Sequence, residues 1–464
     1  MAPEDLHVVI LAAGKGTRMK SALPKVLHRA GGLPLIEWVV RLARSLQPSS
    51  ISLVLGHGAD QVREWFAGAD DVQFVIQEPQ LGTGHALLQT QPLLAGRTGR
   101  VLLLSGDVPL LTTASVAALL DAQAAQGASA VVATAQVADP TGYGRIVRNA
   151  GRLQQIVEQR DASAAERTID EINSGVYVLQ LEPLFAALAR VGSANAQGEY
   201  YLPDLVGIYR SDGKVVDAQL VADPDEIRGI NTRAELADVG RLLQARTNRA
   251  LMASGVTLVD PATAYIGPDV TIGQDSVVHP FVMIEGRTSV GCDCELHGGV
   301  RIVDATIGNN VNILNHSVIT DSTVAQGSNI GPFARIRPKS VIGRQVHVGN
   351  FVEIKKSELG DGTKVGHLSY VGDATVGAGV NIGAGTIICN FDGQQKHQTV
   401  IGNGAFVGSD STLVAPVTIG ADAYIAAGSS ITHDVPDGGL GIARGRQTNK
   451  PGWAAKRADK QQSR

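Results

Sequence analysis

The chain is poor in aromatic residues, in cysteine and in long apolar runs, and each shortage excludes something. Phe, Tyr and Trp together make up only 4% of its 464 residues, so large rings cannot fill its cores and small aliphatic side chains must do the packing. The three cysteines, Cys292, Cys294 and Cys389, are odd in number and lack a second paired cluster. They read as reduced thiols rather than a disulfide framework or a metal site, as expected of a cytoplasmic protein. Aliphatic runs such as residues 8–13 fall far short of the ~20 residues of a membrane span. The acidic start MAPEDLH has neither the basic nor the apolar region of a signal peptide. With 40 Lys and Arg against 44 Asp and Glu, there is no global attraction to nucleic acid or to an anionic membrane. A chain of this length exceeds one compact core, and two or three domains are expected.

Glycine is abundant, with 54 residues, and it concentrates where an aliphatic residue recurs every six positions. The leading positions are Ile266, Ile272, Val278, Ile284, Val290, Leu296 and Ile302. After a one-residue slip come Ile307, Ile313 and Ile319, and after another Val324, Ile330, Ile336, Ile342, Val348 and Ile354. Further slips lead to Leu359, Val365 and Val371, then to Val376, Ile382 and Ile388. Residues 389–399 interrupt the frame, which returns at Ile401, Val407, Leu413, Ile419, Ile425 and Ile431. A period of six over this length predicts a β-helix, three faces to a coil, with the aliphatic residue inside. Such a prism can be a catalyst or an inert scaffold.

The first 230 residues carry a different pattern. Residues 6–13, 51–58, 72–77 and 100–107 read as buried strands, and residues 34–46, 59–67, 85–94 and 113–126 as helices between them. This alternation predicts a mainly parallel sheet with helices on both faces and ligands at the carboxyl ends of its strands. The loop after the first strand, Ala12-Ala13-Gly14-Lys15-Gly16-Thr17-Arg18-Met19, fits neither the P-loop nor the dinucleotide fingerprint. It leads into an extended SALPKVLH stretch. Its small residues still allow backbone amides to approach phosphate, with Arg18 and Lys25 supplying charge; the alternative is a plain tight turn. Further on, Thr232 and Glu235 form a capping-box pattern, and Leu236, Val239 and Leu243 share one face of a helix reaching about Ala253. At ~1.5 Å per residue this is a spacer of roughly 30 Å. The expected domains are residues 1–233, a linker helix at 234–254, and residues 255–464.

LAAGKGTRM followed by LPKVLH resembles the signature of sugar-nucleotide pyrophosphorylases. With Gln77, LGTGHA, LSGDVPL and the hexapeptide repeats, nearly the whole chain is similar to the bacterial family of bifunctional glucosamine-1-phosphate N-acetyltransferases and N-acetylglucosamine-1-phosphate uridyltransferases. The resemblance implies a Rossmann-like nucleotidyltransferase domain, a linker helix and a left-handed parallel β-helix. It implies synthesis of UDP-N-acetylglucosamine from acetyl-CoA, glucosamine-1-phosphate and UTP, feeding peptidoglycan and lipopolysaccharide assembly. By the same resemblance Mg²⁺ is held by Asp107 and Asn231. From position alone Asp107 could equally be a cap or loop residue, and Asn231 reads first as a turn residue. Leu11, Ala12, Ala13 and Gly14 are implied to form the first nucleotide-binding loop, with Lys25 on the phosphates and Ser105 and Gly106 beside Asp107. Gln77, Gly82 and Thr83 would meet uracil, and Gly142, Glu158 and Asn173 the acetamido sugar. Relatives can carry tyrosine where Ser105 stands.

Of the histidines His279, His297, His316, His347 and His367, each by itself reads first as structural or surface. His367 stands apart in the setting KVGHLSYVGD, which matches the family's catalytic segment. An imidazole with an ordinary pKa near ~6.5 can take a proton from an attacking amine. The resemblance adds Glu353 to orient His367 and Asn390 to support it. Arg337, Lys355, Tyr370 and Asn381 would grip glucosamine-1-phosphate, although these could also be solvated charges or an inner asparagine ladder. Ala384, Asn390, Phe391, Ser409, Ala427 and Arg444 would contact acetyl-CoA. Phe391 stands where relatives often have tyrosine. A homotrimer through the β-helix is implied, without nucleic acid or membrane insertion. The basic tail RGRQTNKPGWAAKRADKQQSR reads as disordered, or as a lid in which Trp453 closes a neighbouring subunit's coenzyme site. Two other readings stand: a pyrophosphorylase for another sugar with an architectural β-helix, and a non-catalytic nucleotide-sugar sensor.

Overall fold

The computed structural model describes residues 5–462, with the side chains of residues 459–462 outside that description. The expectation about a signal segment rests partly on residues 1–4, which also lie outside it. The chain divides into two compact units, Met1–Gln244 and Ala245–Arg464.

In the first unit the aliphatic strand Leu6–Ala12 is central, with parallel neighbours Ser50–Leu55 and Arg100–Ser105. Val72–Ile76 extends the first side in parallel. The sheet continues on the other side through Glu171–Gln180 and Ala130–Gln136 to Val216–Leu220. Glu171–Gln180 runs antiparallel to Arg100–Ser105, to Ala130–Gln136 and to Arg145–Asn149, which makes the sheet mainly rather than wholly parallel. Val8, Ile10, Leu53, Leu102 and Leu104 pack into one core. Val9, Val54, Val101 and Leu103 pack into the other. Both faces are therefore covered, which is why these strands read as unbroken aliphatic runs. The helix expected at 85–94 divides into Thr83–Leu88 and Gln91–Leu94, because Pro92 offers no amide to continue the first. The stretch at 21–28, expected to be extended, instead forms a tight turn at Lys25–Leu27, and the loop before it forms another at Thr17–Met19.

The helix Arg233–Ala253 begins with a reciprocal cap: Glu235 N donates to Thr232 Oγ1 at 3.2 Å, and Thr232 N to Glu235 Oε2 at 2.9 Å. Val239 and Leu243 bury against Ala30, Leu35, Leu110 and Ile230. Asn248, 1% exposed, donates to the carbonyls of Pro261 and Ala264.

The second unit is three parallel sheets of very short strands in which each strand pairs with the third one later in the chain, until Tyr424–Ile425 pairs with Leu440–Gly441, the second one later. Every leading aliphatic position from Ile266 to Ile431 is buried. Val278 pairs with Leu296 and Ile284 with Ile302, eighteen residues apart, whereas Val290 pairs with Ile307 at seventeen. A one-residue slip in the period is thus a shorter corner and not a fault in the stack. The stack starts earlier than the repeat announces, since Leu258 already pairs with Val278. It also continues past the interruption, where Ala374–Val376 pairs directly with Thr399–Ile401. Buried serines close the corners; Ser276 Oγ donates to Gly291 O and accepts from Cys294 N, satisfying backbone that water cannot reach. The tail departs from the disordered reading: Trp453–Gln462 is helical, with the Arg457 guanidinium 5.2 Å from the Trp453 ring centroid. No helix among the described residues is long and apolar enough to cross a membrane.

Ile336 is fully buried in this column. Ile336→Ala is expected to cost about 2–5 kcal/mol through lost transfer and an unfilled cavity, read as a lower denaturant midpoint of the β-sheet signal.

Two candidate active sites

The first site lies at the carboxyl ends of the central strands. Leu11, Ala12, Ala13 and Gly14 leave one strand and Ser105, Gly106 and Asp107 its neighbour; Leu11 pairs in register with Ser105. Gly106 N donates to Leu11 O at 2.9 Å. Between the two loops the Lys25 ammonium bridges Asp107 Oδ2 at 2.5 Å and Asn231 Oδ1 at 3.3 Å. Residues more than 200 positions apart are therefore joined by one cation. Gly16 must be glycine: its φ is +58° and a Cβ would sit 2.7 Å from Lys25 Cβ. Arg18 is exposed on its turn.

Gln77 follows the strand Val72–Ile76 and is nearly buried. Its amide nitrogen donates to Gly82 O at 2.9 Å and so holds the loop that carries Thr83. The Thr83 hydroxyl accepts from Leu202 N at 3.1 Å. Glu158 and Asn173 meet across Gly144, where a Cβ would lie 3.2 Å from Glu158 Oε1 and 3.4 Å from Asn173 Cβ. Burial, and then the charges of Asp161, Asp204 and Glu199, push the Glu158 carboxyl above its usual range. Asn173 Oδ1 accepts from the Tyr177 hydroxyl at 3.0 Å, which fixes its carboxamide. Gly142 turns the nearby loop at φ +90°. Gln80, whose amide donates to Ala13 O at 2.7 Å, also supports the first loop. The pattern of the sequence does not single it out.

The second site follows one edge of the prism. Asn350 and His367 are paired in register, and His367 Nδ1 lies 2.6 Å from Asn350 Oδ1. An amide oxygen only accepts, so Nδ1 carries the hydrogen and Nε2 is left with its lone pair. Gly349 permits this approach, since a Cβ there would sit 1.8 Å from Gly366 O. Backbone hydrogen bonds continue the edge: Gly385 N donates to His367 O, Asp410 N to Ala384 O and Gly428 N to Ser409 O. At its end Arg444 donates to Ala427 O at 2.7 Å. His367, Ala384, Ser409, Ala427 and Arg444 thus form one column, although up to 25 residues separate neighbours in the chain.

The adjacent face carries the charged residues. Glu353 was expected to orient His367, but its Oε1 instead accepts from Arg337 at 2.8 Å, with Arg335 3.9 Å from Oε2. The reason is register: Glu353 pairs with Arg335 and Tyr370 on the next face, whereas Asn350 shares a strand end with His367. Lys355 Nζ lies 3.3 Å from Asp373 Oδ2. Asn390 donates to the same oxygen at 2.5 Å and its amide is 3.5 Å from the Tyr370 hydroxyl, so it joins this network rather than His367. Asp373 is the hub, its carboxyl held below the usual range against the opposing effect of burial by hydrogen bonds from Asn390 and Lys355. Asn381 pairs with Lys364 on the strand that ends at His367. Phe391 is exposed on the interrupting loop, which bends back through a bridge to Lys396. Asn350 and Asp373 were not expected from the sequence. Their signal was present as an offset of one coil, seventeen residues before His367 and eighteen after Lys355.

Residues 8–176 match the MobA-like NTP transferase domain family, residues 263–357 the GMPPB C-terminal domain and residues 398–433 the bacterial transferase hexapeptide repeats. Over its whole length the chain is similar to proteins named bifunctional protein GlmU. That of Trichlorobacter lovleyi is 50% identical, with 97% of this chain and 98% of the relative covered. That of Shouchella clausii is 49% identical with the same coverage. That of Brevibacillus brevis is 49% identical with 99% of each covered. Two separate sites, one on a nucleotidyltransferase sheet and one on a hexapeptide prism, agree with those names, and the chain belongs to the bifunctional GlmU family.

Proposed function

We propose that this protein makes UDP-N-acetylglucosamine in two steps, one in each unit. The observation that carries the reading is the single prism edge on which Asn350, His367, Ala384, Ser409, Ala427 and Arg444 align. In the first step the amine of glucosamine-1-phosphate attacks the thioester carbonyl of acetyl-CoA. His367 Nε2 accepts the amine proton, the C–S bond breaks, and coenzyme A leaves as its thiolate. Arg337, Lys355, Tyr370 and Asn381 hold the sugar phosphate. Asn390 and Phe391 flank a coenzyme lying along Ala384, Ser409, Ala427 and Arg444, with the Ser409 amide aimed at the developing oxyanion. Asn350 and not Glu353 sets the tautomer of His367.

In the second step a phosphate oxygen of N-acetylglucosamine-1-phosphate attacks the α-phosphorus of UTP, and pyrophosphate leaves. The sugar phosphate is already anionic near neutral pH, so positioning and charge neutralisation suffice. Lys25 and Arg18 supply positive charge, Leu11 to Gly14 backbone amides, Gln77, Gly82 and Thr83 the uracil contacts, and Gly142, Glu158 and Asn173 the sugar contacts. Asp107 and Asn231 fit Mg²⁺: their oxygens already share one cation, the Lys25 ammonium, and an oxygen pair suits a hard ion completed by substrate phosphates. The ion would neutralise triphosphate charge there.

The working domains are residues 1–233 and 255–464, joined by the helix at 234–254. The oligomer is a homotrimer of the prism. Phe281, Phe333, Phe351 and Leu368 supply an apolar edge for it, all exposed, with Phe333 and Phe351 stacked at 5.3 Å. The protein works in the cytoplasm, and its product feeds peptidoglycan and lipopolysaccharide synthesis. Incubation with glucosamine-1-phosphate, acetyl-CoA, UTP and Mg²⁺ is expected to yield UDP-N-acetylglucosamine. N-acetylglucosamine-1-phosphate as the only product would remove the uridyl-transfer assignment, and no product would favour a sensor.

Asn350→Leu is expected to lower kcat for acetyl transfer about 10–100-fold, in line with other partners that orient a functional imidazole, with little change in KM. Asn350→Asp places a carboxylate on Nδ1–H and stabilises the imidazolium. It is expected to restore part of kcat and to move the acidic limb of the kcat/KM profile to higher pH. An unchanged profile in Asn350→Asp would remove Asn350 from this role.

A further inference from the structure

Four coils before His367, three donor groups meet on the outward face of one sheet. Glu295 and His297 flank the buried Leu296 and so point the same way. His279 follows Val278, which pairs with Leu296, so it stands beside His297 one rung earlier. This is an i, i+2 pair completed by a cross-strand neighbour, the arrangement by which a sheet converges three side chains on one point. His279 Nε2 lies 2.9 Å from Glu295 Oε1, and His297 Nε2 lies 3.7 Å from the same oxygen. All three donor atoms fall within 4.8 Å of one another. Ligands of a tetrahedral ion with bonds of ~2.0–2.1 Å stand about 3.3 Å apart, between the two separations to Glu295.

A second observation points to an absent ligand. His297 Nε2 is shielded from solvent and has no hydrogen-bond partner among the described residues, and the same holds for Asn312 Oδ1. Asn312 pairs in register with Glu295 one rung later. A buried polar atom without a partner needs an explanation, and His297 Nε2 faces the Glu295 carboxylate at 3.7 Å.

We propose that His279, Glu295 and His297 form a binding site for one zinc-class divalent ion, which clips two adjacent coils near the start of the prism. Two imidazoles and a carboxylate suit a borderline ion rather than Mg²⁺ or Ca²⁺. The imidazole rings stack with centroids 4.8 Å apart and planes 7° apart. Binding one ion therefore requires each ring to turn about χ2, and the side chains are 30% and 24% exposed. End coils of a solenoid lack a neighbour on one side, so a clip there adds where the stack is weakest. The site is separate from the residues assigned to either transfer reaction.

The test uses the full chain, stripped of metal with a chelator and titrated with Co²⁺, then with Zn²⁺. The expected result is one equivalent of four-coordinate nitrogen/oxygen Co²⁺ absorption that Zn²⁺ displaces. It is lost in His279→Gln and in His297→Gln, while both transfer activities of these variants confirm their folding. An ion at Asp107 and Asn231 would be oxygen-bound and octahedral, and it would survive both variants. Absorption that persists in both glutamine variants would overturn the proposal. So would a thiolate-to-cobalt band that vanishes in Cys292→Ser, or no four-coordinate absorption in the parent chain.

Discussion

His367→Ala is expected to lower acetyl transfer by ~10²–10⁴-fold, the range for loss of a positioned general base, and to leave uridyl transfer unchanged. The size of the effect follows from what His367 alone supplies. Its Nδ1 is committed to Asn350 at 2.6 Å, so Nε2 is the one imidazole atom free to take the amine proton. The side chain is exposed and outside the aliphatic column, so its removal carries little folding cost. A loss in kcat with KM nearly constant is therefore the expected signature, measured by release of free coenzyme A thiol. A fall in uridyl transfer of similar size in the same variant would mean that the two chemistries are not separable.

Lys25→Ala is expected to lower uridyl transfer by roughly 10²–10³-fold, the cost of removing one preorganised charge from a transition state, with acetyl transfer intact. Lys25 is the cation on which Asp107 and Asn231 converge, so the substitution also leaves the half-buried Asp107 carboxylate without its partner. Arg18→Ala separates catalysis from folding, because Arg18 is exposed and its loss should leave the melting temperature unchanged while turnover falls. Pyrophosphate release reads both variants. Near-normal turnover in both would remove the phosphate-binding assignment of the first loop.

Much of the architecture was legible because it rests on periodicity. Each leading aliphatic position of the period from Ile266 to Ile431 lies inside the prism, since a period of six allows one inward direction per face. The strands Leu6–Ala12 and Arg100–Ser105 were readable because burial on both faces leaves an unbroken aliphatic run. The antiparallel strand Glu171–Gln180 was not, because chain direction leaves no mark on side-chain pattern. The sites divide in the same way. Lys25, Asp107 and Asn231 meet at one point, and His367 contacts Asn350, which the sequence did not single out. Resemblance supplies residue types, whereas register decides contacts: Asn350 pairs with His367, and Glu353 faces Arg337. Asp373 escaped for the same reason, as its role exists only through Lys355 and Asn390 one coil away on either side.

Two active sites that act independently on one chain should complement each other when placed on separate chains. The direct measurement mixes His367→Ala chains with Lys25→Ala chains and supplies glucosamine-1-phosphate, acetyl-CoA, UTP and Mg²⁺. Each variant alone should form almost no UDP-N-acetylglucosamine, and the mixture should form it readily as N-acetylglucosamine-1-phosphate passes from one protein to the other. A mixture as silent as its components, with both proteins folded, would contradict the account.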